Sequence, residues 1–296
     1  MTSPAPRRRS ARRRNVWLIA AIAAFATMAL AAGMIVGRQL GIHTSAPPGT
    51  IVAPIQAPAA LAADFAHLQT ELHAAAGIAV SAVGNGQAPM ALGDLQSGPA
   101  WSTIKVPLII AALRKENPPK VTDAMAAAIT ESDTAAAESI WATLGDPVTA
   151  AHKVDAVLRQ AGDPTTVQSR RVRPEFTAFG QTDWPLIDQV RFISSAVCDS
   201  ANAPIFALMG EVEPDQRWGI GTVGGARFKG GWGPSPTGSY LVRQVGVLAA
   251  PDGMIAVALA AQPASGKFDD GTAALTEMAN WLTAHLGSLS VGQCGR

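Results

Sequence analysis

Hydrophobic positions recur at two different periods along the chain, and each change of period marks a predicted element. Apolar residues at helical spacing predict a helix over Leu61–Ala75, ended by Gly77. Alternation then predicts a strand over Gly77–Val83, and Asn85-Gly86 is typical of a hairpin turn that leads into a second strand at 89–92. The folded part of the chain is therefore expected to begin with one helix and two paired strands.

Alanine-rich stretches with helical spacing fill the middle of the chain. They predict four helices, at 101–113, 121–130, 134–144 and 149–161. Residues 163–183 have mixed polarity and contain two prolines and a glycine, which predicts an irregular loop before a helix over 184–198. Strand patterns return at 224–231, 239–248 and 254–261, before a final helix over 270–286. The predicted order is helix, two strands, a helical insertion, three strands and a helix.

The first 37 residues carry a different pattern. Six arginines, at 7–9 and 12–14, precede an uncharged apolar run over 16–37, whose 22 residues are enough to cross a bilayer as a helix. The arginines favour a cytoplasmic N-terminus, so we expect a basic cytoplasmic tail over 1–15 and a transmembrane helix over 16–37. A signal peptide cleaved near Ala29–Ala32 and a twin-arginine export signal are the alternatives. All three place the folded domain outside the cytoplasm.

Residues 38–57 are rich in proline and small residues and predict a semi-extended linker, so the folded domain is expected over 58–296. Residues 64–296 hold 16 basic and 22 acidic side chains, a balance that argues against a nucleic-acid-binding domain. The chain has two cysteines, Cys198 and Cys294, and an even count in an exported domain favours a disulfide. The five histidines lack the spacing of metal ligands, and no metal or other cofactor is expected.

Three short motifs in chain order carry the candidate chemistry. They are Ser102-Thr103-Ile104-Lys105, Ser132-Asp133-Thr134 and Lys229-Gly230-Gly231. Residues three apart on a helix share a face, so Lys105 can take the proton of the Ser102 hydroxyl if burial lowers the lysine pKa toward neutrality. About one S-x-x-K pattern is expected by chance in a chain of this size, and alone it would indicate only a capping serine and a solvated lysine. Three ordered elements are harder to attribute to chance.

The motifs and their order resemble those of the serine β-lactamase and DD-peptidase superfamily, and most nearly the class A β-lactamases. Residues 126–136 resemble the segment around the second motif of that family, and residues 242–253 resemble the strand after its third motif. The resemblance covers about residues 60–290. It implies an α+β fold, with an antiparallel sheet flanked by helices and an all-helical insertion at about 100–215.

The resemblance also implies roles for individual residues. Ser102 would be the acylated nucleophile, Lys105 its proton acceptor, and Ser132 the relay of a proton to the leaving nitrogen. The backbone N–H groups of Ser102 and Trp232 would form the oxyanion hole, and Lys229 would hold a substrate carboxylate. The other substrate-binding candidates are Thr134, Gly230, Gly231, Arg243 and Glu175.

Three positions depart from the family pattern. Thr134 replaces an asparagine, and Gly230 replaces a hydroxyl residue that helps to bind the substrate carboxylate. In the loop over 163–183, Arg173 takes the place of the glutamate that positions the deacylating water, and Glu175 follows two residues later. The missing base predicts slow hydrolysis of an acyl-enzyme, and therefore weak β-lactam turnover.

We therefore expect a membrane-anchored, extracytoplasmic serine hydrolase or acyltransferase that acts through an acyl-serine on cell-wall peptide or β-lactam-like amides. Two alternatives stay open. One is a catalytically degenerate relative whose cleft binds cell-wall peptide or a protein, and the other is an esterase of the same superfamily. The sequence does not determine the oligomeric state, or choose between hydrolysis and transpeptidation.

Overall fold

The computed structural model describes residues 51–84 and 86–295. No helix in this described part is long and apolar enough to cross a membrane. The predicted cytoplasmic tail over 1–15, the transmembrane helix over 16–37 and the linker up to residue 50 lie outside the described residues.

The centre of the fold is a five-stranded sheet with the strand order β2-β1-β5-β4-β3. Every neighbouring pair is antiparallel, as the resemblance implies. The pairing of β1 with β5 brings the early and late strands of the domain into one sheet. The strands are β1 Ala74–Ala82, β2 Met90–Gly93, β3 Arg227–Pro234, β4 Tyr240–Ala250 and β5 Gly253–Pro263.

Strand β5 shows why helices cover both faces of the sheet. Its alternate residues Ile255, Val257 and Leu259 pack into the apolar cluster that contains the two terminal helices. The intervening alanines belong to the second cluster, which contains the helical insertion, and their small side chains let a helix lie close to the sheet. The covering helices are α1 Ala59–Glu71 and α8 Phe268–Ala284 on the first face, and α6 Leu186–Ala196 on the second.

The chain between β2 and β3 forms the helical insertion. Thr122, Asp133 and Asp146 begin three of its helices, and each side chain accepts a hydrogen bond from a backbone N–H of the first turn. Besides α6, the helices are α2 Lys105–Leu113, α3 Asp123–Thr130, α4 Thr134–Thr143, α5 Pro147–Gln160 and α7 Ala203–Leu208.

Predicted boundaries are wrong at two places in the chain. The first helix ends at Glu71, and Gly77, which was expected to end it, lies inside β1. A Cβ atom at Gly77 would be 1.9 Å from the Leu95 carbonyl oxygen, so this glycine allows another segment to approach the strand. The third strand begins at Arg227 and not at Gly224.

Cys198 and Cys294 form a disulfide, with their Cα atoms 5.1 Å apart. The bond joins the chain just after α6 to the C-terminal segment. The two cysteines are 96 residues apart, so restriction of the unfolded chain contributes on the order of 4 kcal/mol to stability in the chain-entropy model.

Candidate active site

Ser102 lies in a short 3-10 turn, Trp101–Ile104, that runs directly into α2. Every residue of α2 is buried, including Lys105 at 1% exposure, whereas Ser102 is half-buried. Trp101 adopts a left-handed backbone conformation with φ 50°, which is unfavourable for a bulky residue and is concentrated at functional sites. A strained residue therefore directly precedes the candidate nucleophile.

The second motif forms the turn between α3 and α4. The Asp133 carboxylate accepts a hydrogen bond from Ala136 N at 2.8 Å, and Asp133 N donates to Ala127 O at 3.1 Å. Ser132 has a positive φ of 59°, the second strained position at the site. These contacts fix the turn and orient Ser132 toward the lysines of the other two motifs.

The three motifs meet at Ser132. Lys229, on β3, donates from Nζ to Ser132 Oγ at 2.7 Å and to Gly230 O at 3.0 Å. Lys105 Nζ donates to Ser132 O at 2.5 Å and to Asp133 O at 3.2 Å, and lies 3.5 Å from Ser132 Oγ. These acceptors do not include the Ser102 hydroxyl, so the Lys105 amine is bound to the second motif rather than to the nucleophile.

Burial changes the proton affinity of both lysines. Removal from water lowers the pKa of Lys105 to about 8, partly offset by the negative charge of Asp133. Lys229 is fully buried, and burial, followed by the charge of Lys105, lowers its pKa well below the usual value of 10.5. An amine with a lowered pKa can accept a proton near neutral pH, as the base for a serine hydroxyl must.

Strand β3 passes directly against the turn that carries Ser102. A Cβ atom at Gly231 would lie 2.9 Å from Ser102 N, Thr103 N and Ala100 O, so only a glycine permits this approach. Trp232 follows Gly231 along the strand. Ser102 N therefore lies against the residue that precedes Trp232, and these two residues supply the backbone N–H groups that the resemblance assigns to an oxyanion hole.

Two predicted substrate-binding residues make no contact with this network. Thr134 is exposed as the first residue of α4, and Lys105 bonds to the carbonyl oxygen of the preceding Asp133 instead. Glu175 is exposed on the loop, where its carboxylate lies 3.0 Å from the guanidinium of Arg173.

Arg173 spans the gap between the loop and the end of β3. Its guanidinium donates to the Pro234 carbonyl oxygen, pairs with Glu175 and lies 4.3 Å from the centre of the Phe176 ring. Phe176 in turn contacts Trp101 edge to face, with ring centroids 5.0 Å apart. The position that the resemblance gives to a water-activating glutamate thus holds a cation that is engaged with β3.

Arg243 faces the core, an orientation that argues against the substrate-carboxylate role implied for it. Its side chain is 1% exposed and donates to three backbone carbonyl oxygens, those of Gly98, Pro99 and Trp184. Arg243 pairs with Gly231 across the β3–β4 ladder, whereas the residue opposite Gly230 is Gln244. Because successive residues of a strand point to opposite faces, Gln244 lies on the Gly230 face of the sheet.

Trp218 and Gln244 are two residues beside Gly230 that the sequence patterns did not indicate. A Cβ atom at Gly230 would lie 3.2 Å from Trp218 Cη2 and 3.5 Å from Trp232 Cζ3. Gln244 is fully buried, donates from Nε2 to Trp218 O at 2.7 Å, and accepts from Ile220 N at 2.8 Å. The available signal was the glycine at 230, because a missing side chain in a close-packed site leaves space that a larger neighbour fills.

No group of three His, Cys, Asp or Glu residues that could hold a metal ion occurs within 51–84 and 86–295. The polar groups around Ser132 are amines, hydroxyls and backbone carbonyls. Such groups suit nucleophilic and acid–base chemistry.

The fold is serine β-lactamase-like, and solved class A β-lactamases are similar to it over about three quarters of the chain. The TLA-3 extended-spectrum β-lactamase has a TM-score of 0.61 and 14% identity, over 77% of this chain and 98% of its own. A class A β-lactamase from Bacteroides cellulosilyticus has a TM-score of 0.61 and 13% identity, over 77% and 98%. An ancestral class A β-lactamase has a TM-score of 0.58 and 17% identity, over 76% and 99%. No protein-family model matches the sequence, and no curated protein matches it either.

Proposed function

We propose that the domain is a serine hydrolase or acyltransferase that forms an acyl-enzyme at Ser102. The observation that carries the proposal is the meeting of the three motifs at Ser132, where two buried amines from distant segments surround one hydroxyl. Two lysines buried together lose their hydration and repel each other, an unfavourable arrangement that the charge of Asp133 only partly offsets and that packing alone does not require. The strained backbone at Trp101 and Ser132 supports the same proposal.

The proposed acylation follows from these positions. The Ser102 oxygen attacks the carbonyl carbon of an ester or amide, and its proton passes to the neutral amine of Lys105. The backbone N–H groups of Ser102 and Trp232 stabilise the oxyanion. The tetrahedral intermediate then collapses as the bond to the leaving atom breaks. The leaving atom takes a proton from Ser132 Oγ, and Lys105 returns its proton to Ser132.

The candidate substrates are cell-wall peptides and β-lactam-like amides, and we expect weak β-lactam turnover. Support comes from the loop, where Arg173 binds the Pro234 carbonyl and the Glu175 carboxylate is largely exposed. In deacylation, water bonds to the acyl carbon and gives a proton to a base. The base then passes this proton to the Ser102 oxygen as the acyl–oxygen bond breaks. A guanidinium stays protonated and cannot serve as that base.

Covalent labelling tests the proposal. We expect one fluorophosphonate adduct per chain, mapped by peptide mass spectrometry to Ser102, and none in Ser102→Ala. Lys105→Ala should react about 100-fold more slowly, because it lacks the proton acceptor. Ser139→Ala, which removes an exposed hydroxyl on α4, is the matched control and should label normally. A folded wild-type protein that takes no label at Ser102 would contradict the proposal.

A degenerate relative that only binds its ligand is the second candidate. The observation that favours it is the engagement of Lys105 Nζ with Ser132 O and Asp133 O, rather than with the Ser102 hydroxyl. Calorimetry with cell-wall peptides distinguishes the two functions. Saturable binding with no covalent adduct, in wild type and Ser102→Ala alike, would favour the binding module.

We further propose that residues 16–37 anchor the domain outside the cytoplasm. The support is the arginine-flanked apolar run, together with the Cys198–Cys294 disulfide, because disulfides persist in oxidising compartments. Protease added to intact cells should degrade the domain, and the protein should stay in the membrane pellet after a salt wash. A soluble mature chain that begins near residue 33 would support the cleaved signal instead.

A further inference from the structure

The place beside Lys229 where a substrate carboxylate would be held lacks both groups that the resemblance leads one to expect. Gly230 supplies no hydroxyl, and the residue opposite it in β4 is the uncharged Gln244. Arg243, the neighbouring arginine, is buried on the other face of the sheet and bonded to backbone carbonyls. A carboxylate at this place would therefore meet neither a hydroxyl nor a guanidinium.

Aromatic rings surround Gly230 instead, on the face of β3 that it shares with Gln244. Trp218 and Trp232 both come within 3.5 Å of the position that a Gly230 Cβ atom would take, and their rings meet at 72° with centroids 6.0 Å apart. Phe268 lies behind them, with its ring centroid 5.4 Å from Trp232 and 6.1 Å from Trp218. Both indoles are half-buried, so each keeps an exposed part.

Gln244 holds Trp218 in position. Both polar groups of the Gln244 amide are bonded, Nε2 to Trp218 O and Oε1 to Ile220 N. Gly219 lies between these residues with φ 58°, and a Cβ atom there would be 2.1 Å from Gln244 Oε1. This close fit requires glycine and fixes the backbone that carries the Trp218 indole, which with the Trp232 indole forms an aromatic wall (the indole wall) beside Gly230.

Lys229 does not restore a carboxylate site. Its amine is fully buried and donates to Ser132 Oγ and to Gly230 O. A neutral amine has two N–H donors, and these two acceptors account for both of them. Burial, with the nearby charge of Lys105, lowers the Lys229 pKa and so favours the neutral amine over the ammonium form.

We propose that Trp218 and Trp232 form a subsite for an uncharged aromatic or apolar leaving group, so that the site favours neutral aryl or alkyl esters and amides over substrates with a carboxylate there. The assignment rests on the proposed function, in which Ser132 delivers a proton to the leaving atom. The leaving group must then lie beside Ser132 at the edge strand β3, where the Lys229 amine that bonds to Ser132 Oγ also bonds to the carbonyl oxygen of Gly230, the residue that the two indoles flank. Apolar surface and aromatic faces bind such a group, whereas a carboxylate would lose its hydration without gaining a partner.

A matched pair of esters tests the subsite in the wild-type protein. The neutral ester is phenyl N-acetylglycinate, and the carboxylate ester is its 3-carboxyphenyl counterpart, with the same acyl group and a leaving phenol of similar acidity. Active sites are first titrated with a fluorophosphonate, so that rates refer to reactive Ser102. We expect the neutral ester to acylate Ser102 at least tenfold faster. A ratio of about this size corresponds to the free energy of roughly one aromatic contact.

Two single substitutions test whether Trp218 is responsible for the preference for the neutral ester. Trp218→Ala should lower the neutral-to-carboxylate rate ratio by about tenfold, because the variant lacks one of the two indoles that bind the neutral leaving group. Trp281→Ala removes a half-buried tryptophan on α8 that packs against Phe65, and should keep the wild-type ratio. Because the readout is a ratio per titrated site, partial loss of folded protein does not alter it.

The outcomes separate the subsite from the proposed function. A wild-type protein that is titrated by the fluorophosphonate but prefers the carboxylate ester, or reacts with neither ester, overturns the subsite. An unchanged ratio in Trp218→Ala overturns the role of that residue. Absence of any Ser102-dependent reaction, with all three probes, overturns the proposed function itself.

Discussion

The Lys229 amine donates to the Ser132 hydroxyl at 2.7 Å, and the Lys105 amine lies 3.5 Å from the same oxygen. The first contact joins β3 to the turn before α4, across 97 residues of sequence. The charge of Lys105 lowers the pKa of Lys229, and burial lowers the pKa of both lysines. This arrangement gives the candidate site a pH dependence that can be measured.

The rate of Ser102 acylation should rise with pH. Lys105 must be neutral to accept the Ser102 proton, and its pKa of about 8 means that the neutral fraction grows about tenfold per pH unit below that value. We expect fluorophosphonate labelling to accelerate up to about pH 8 and to level off above it. Timed intact-mass measurements from about pH 5 to pH 10 would record the profile.

Lys105→Arg is the matched variant for this profile, because a guanidinium stays protonated over the whole range. It should label slowly at every pH and lose the rise toward pH 8. An unchanged rise in Lys105→Arg would assign the base to another group.

Replacement of Arg243 should reduce stability without changing the preference between the neutral and carboxylate esters. Arg243→Met leaves three backbone carbonyls without their donor, so we expect a loss on the order of 3 kcal/mol in the free energy of unfolding. Urea unfolding measures that loss. Arg227→Met, at an exposed position of β3, is the control and should cost less than about 1 kcal/mol. A stable Arg243→Met that selectively loses the carboxylate ester would restore the substrate role.

The local parts of the site could be predicted from sequence, and the reason is physical. Ser102 and Lys105 are three residues apart at the start of a helix, so their spacing alone places them together. The Ser132 turn depends on an adjacent capping residue, Asp133. The resemblance then supplied the fold, which brings the distant Lys229 to both.

The residues that lie around Gly230 could not be predicted in the same way. Strand β4 is buried almost throughout, so residues 241–248 show no alternation that tells which of Arg243 and Gln244 faces the core. A register error of one residue exchanges the two faces of a strand, and the resemblance pointed to Arg243, whereas Gln244 is the residue opposite Gly230. Trp218 lies in a loop without periodicity, and its position depends on Gln244, which is 26 residues away.

Asp163 should make the protein less stable as the pH rises toward neutrality. Burial raises the pKa of its carboxyl to about 7, although Thr165 and Trp184 donate hydrogen bonds to it. The pKa of Asp163 is near 4 in the unfolded chain and about 7 in the folded protein. At a pH between these two values, only the folded state keeps this proton. This difference in pKa contributes on the order of 4 kcal/mol to the free energy of unfolding. The contribution is fully present below about pH 4 and is lost as the pH rises through 7.

Thermal unfolding of wild type and Asp163→Asn between about pH 4 and pH 8 isolates this effect. The difference in stability between the two should change progressively over that range, because the amide does not titrate. Asp252→Asn, in an exposed turn, is the control and should follow the wild-type curve. A pH dependence shared equally by wild type and Asp163→Asn would contradict the prediction.

The acyl-enzyme at Ser102 should be long-lived, because the loop over 163–183 offers no free base for water. Arg173 occupies the glutamate position of the resemblance, binds the Pro234 carbonyl and pairs with Glu175. The Glu175 side chain is 56% exposed, and misplacement of a catalytic group by even about 1 Å costs on the order of a hundredfold. Glu175 is therefore expected to contribute little to deacylation.

Decay of the acyl-enzyme formed from the neutral ester measures this contribution directly, by intact mass over time. Glu175→Gln should change the decay by less than about twofold, because general-base catalysis, when present, contributes about a hundredfold or more. Arg173→Ala frees Glu175 from its ion pair and is the matched variant; faster decay that disappears in the double variant would show a base that Arg173 restrains. A wild-type protein that hydrolyses nitrocefin rapidly through Ser102, and loses turnover in Glu175→Gln, would contradict the prediction and identify Glu175 as the deacylating base.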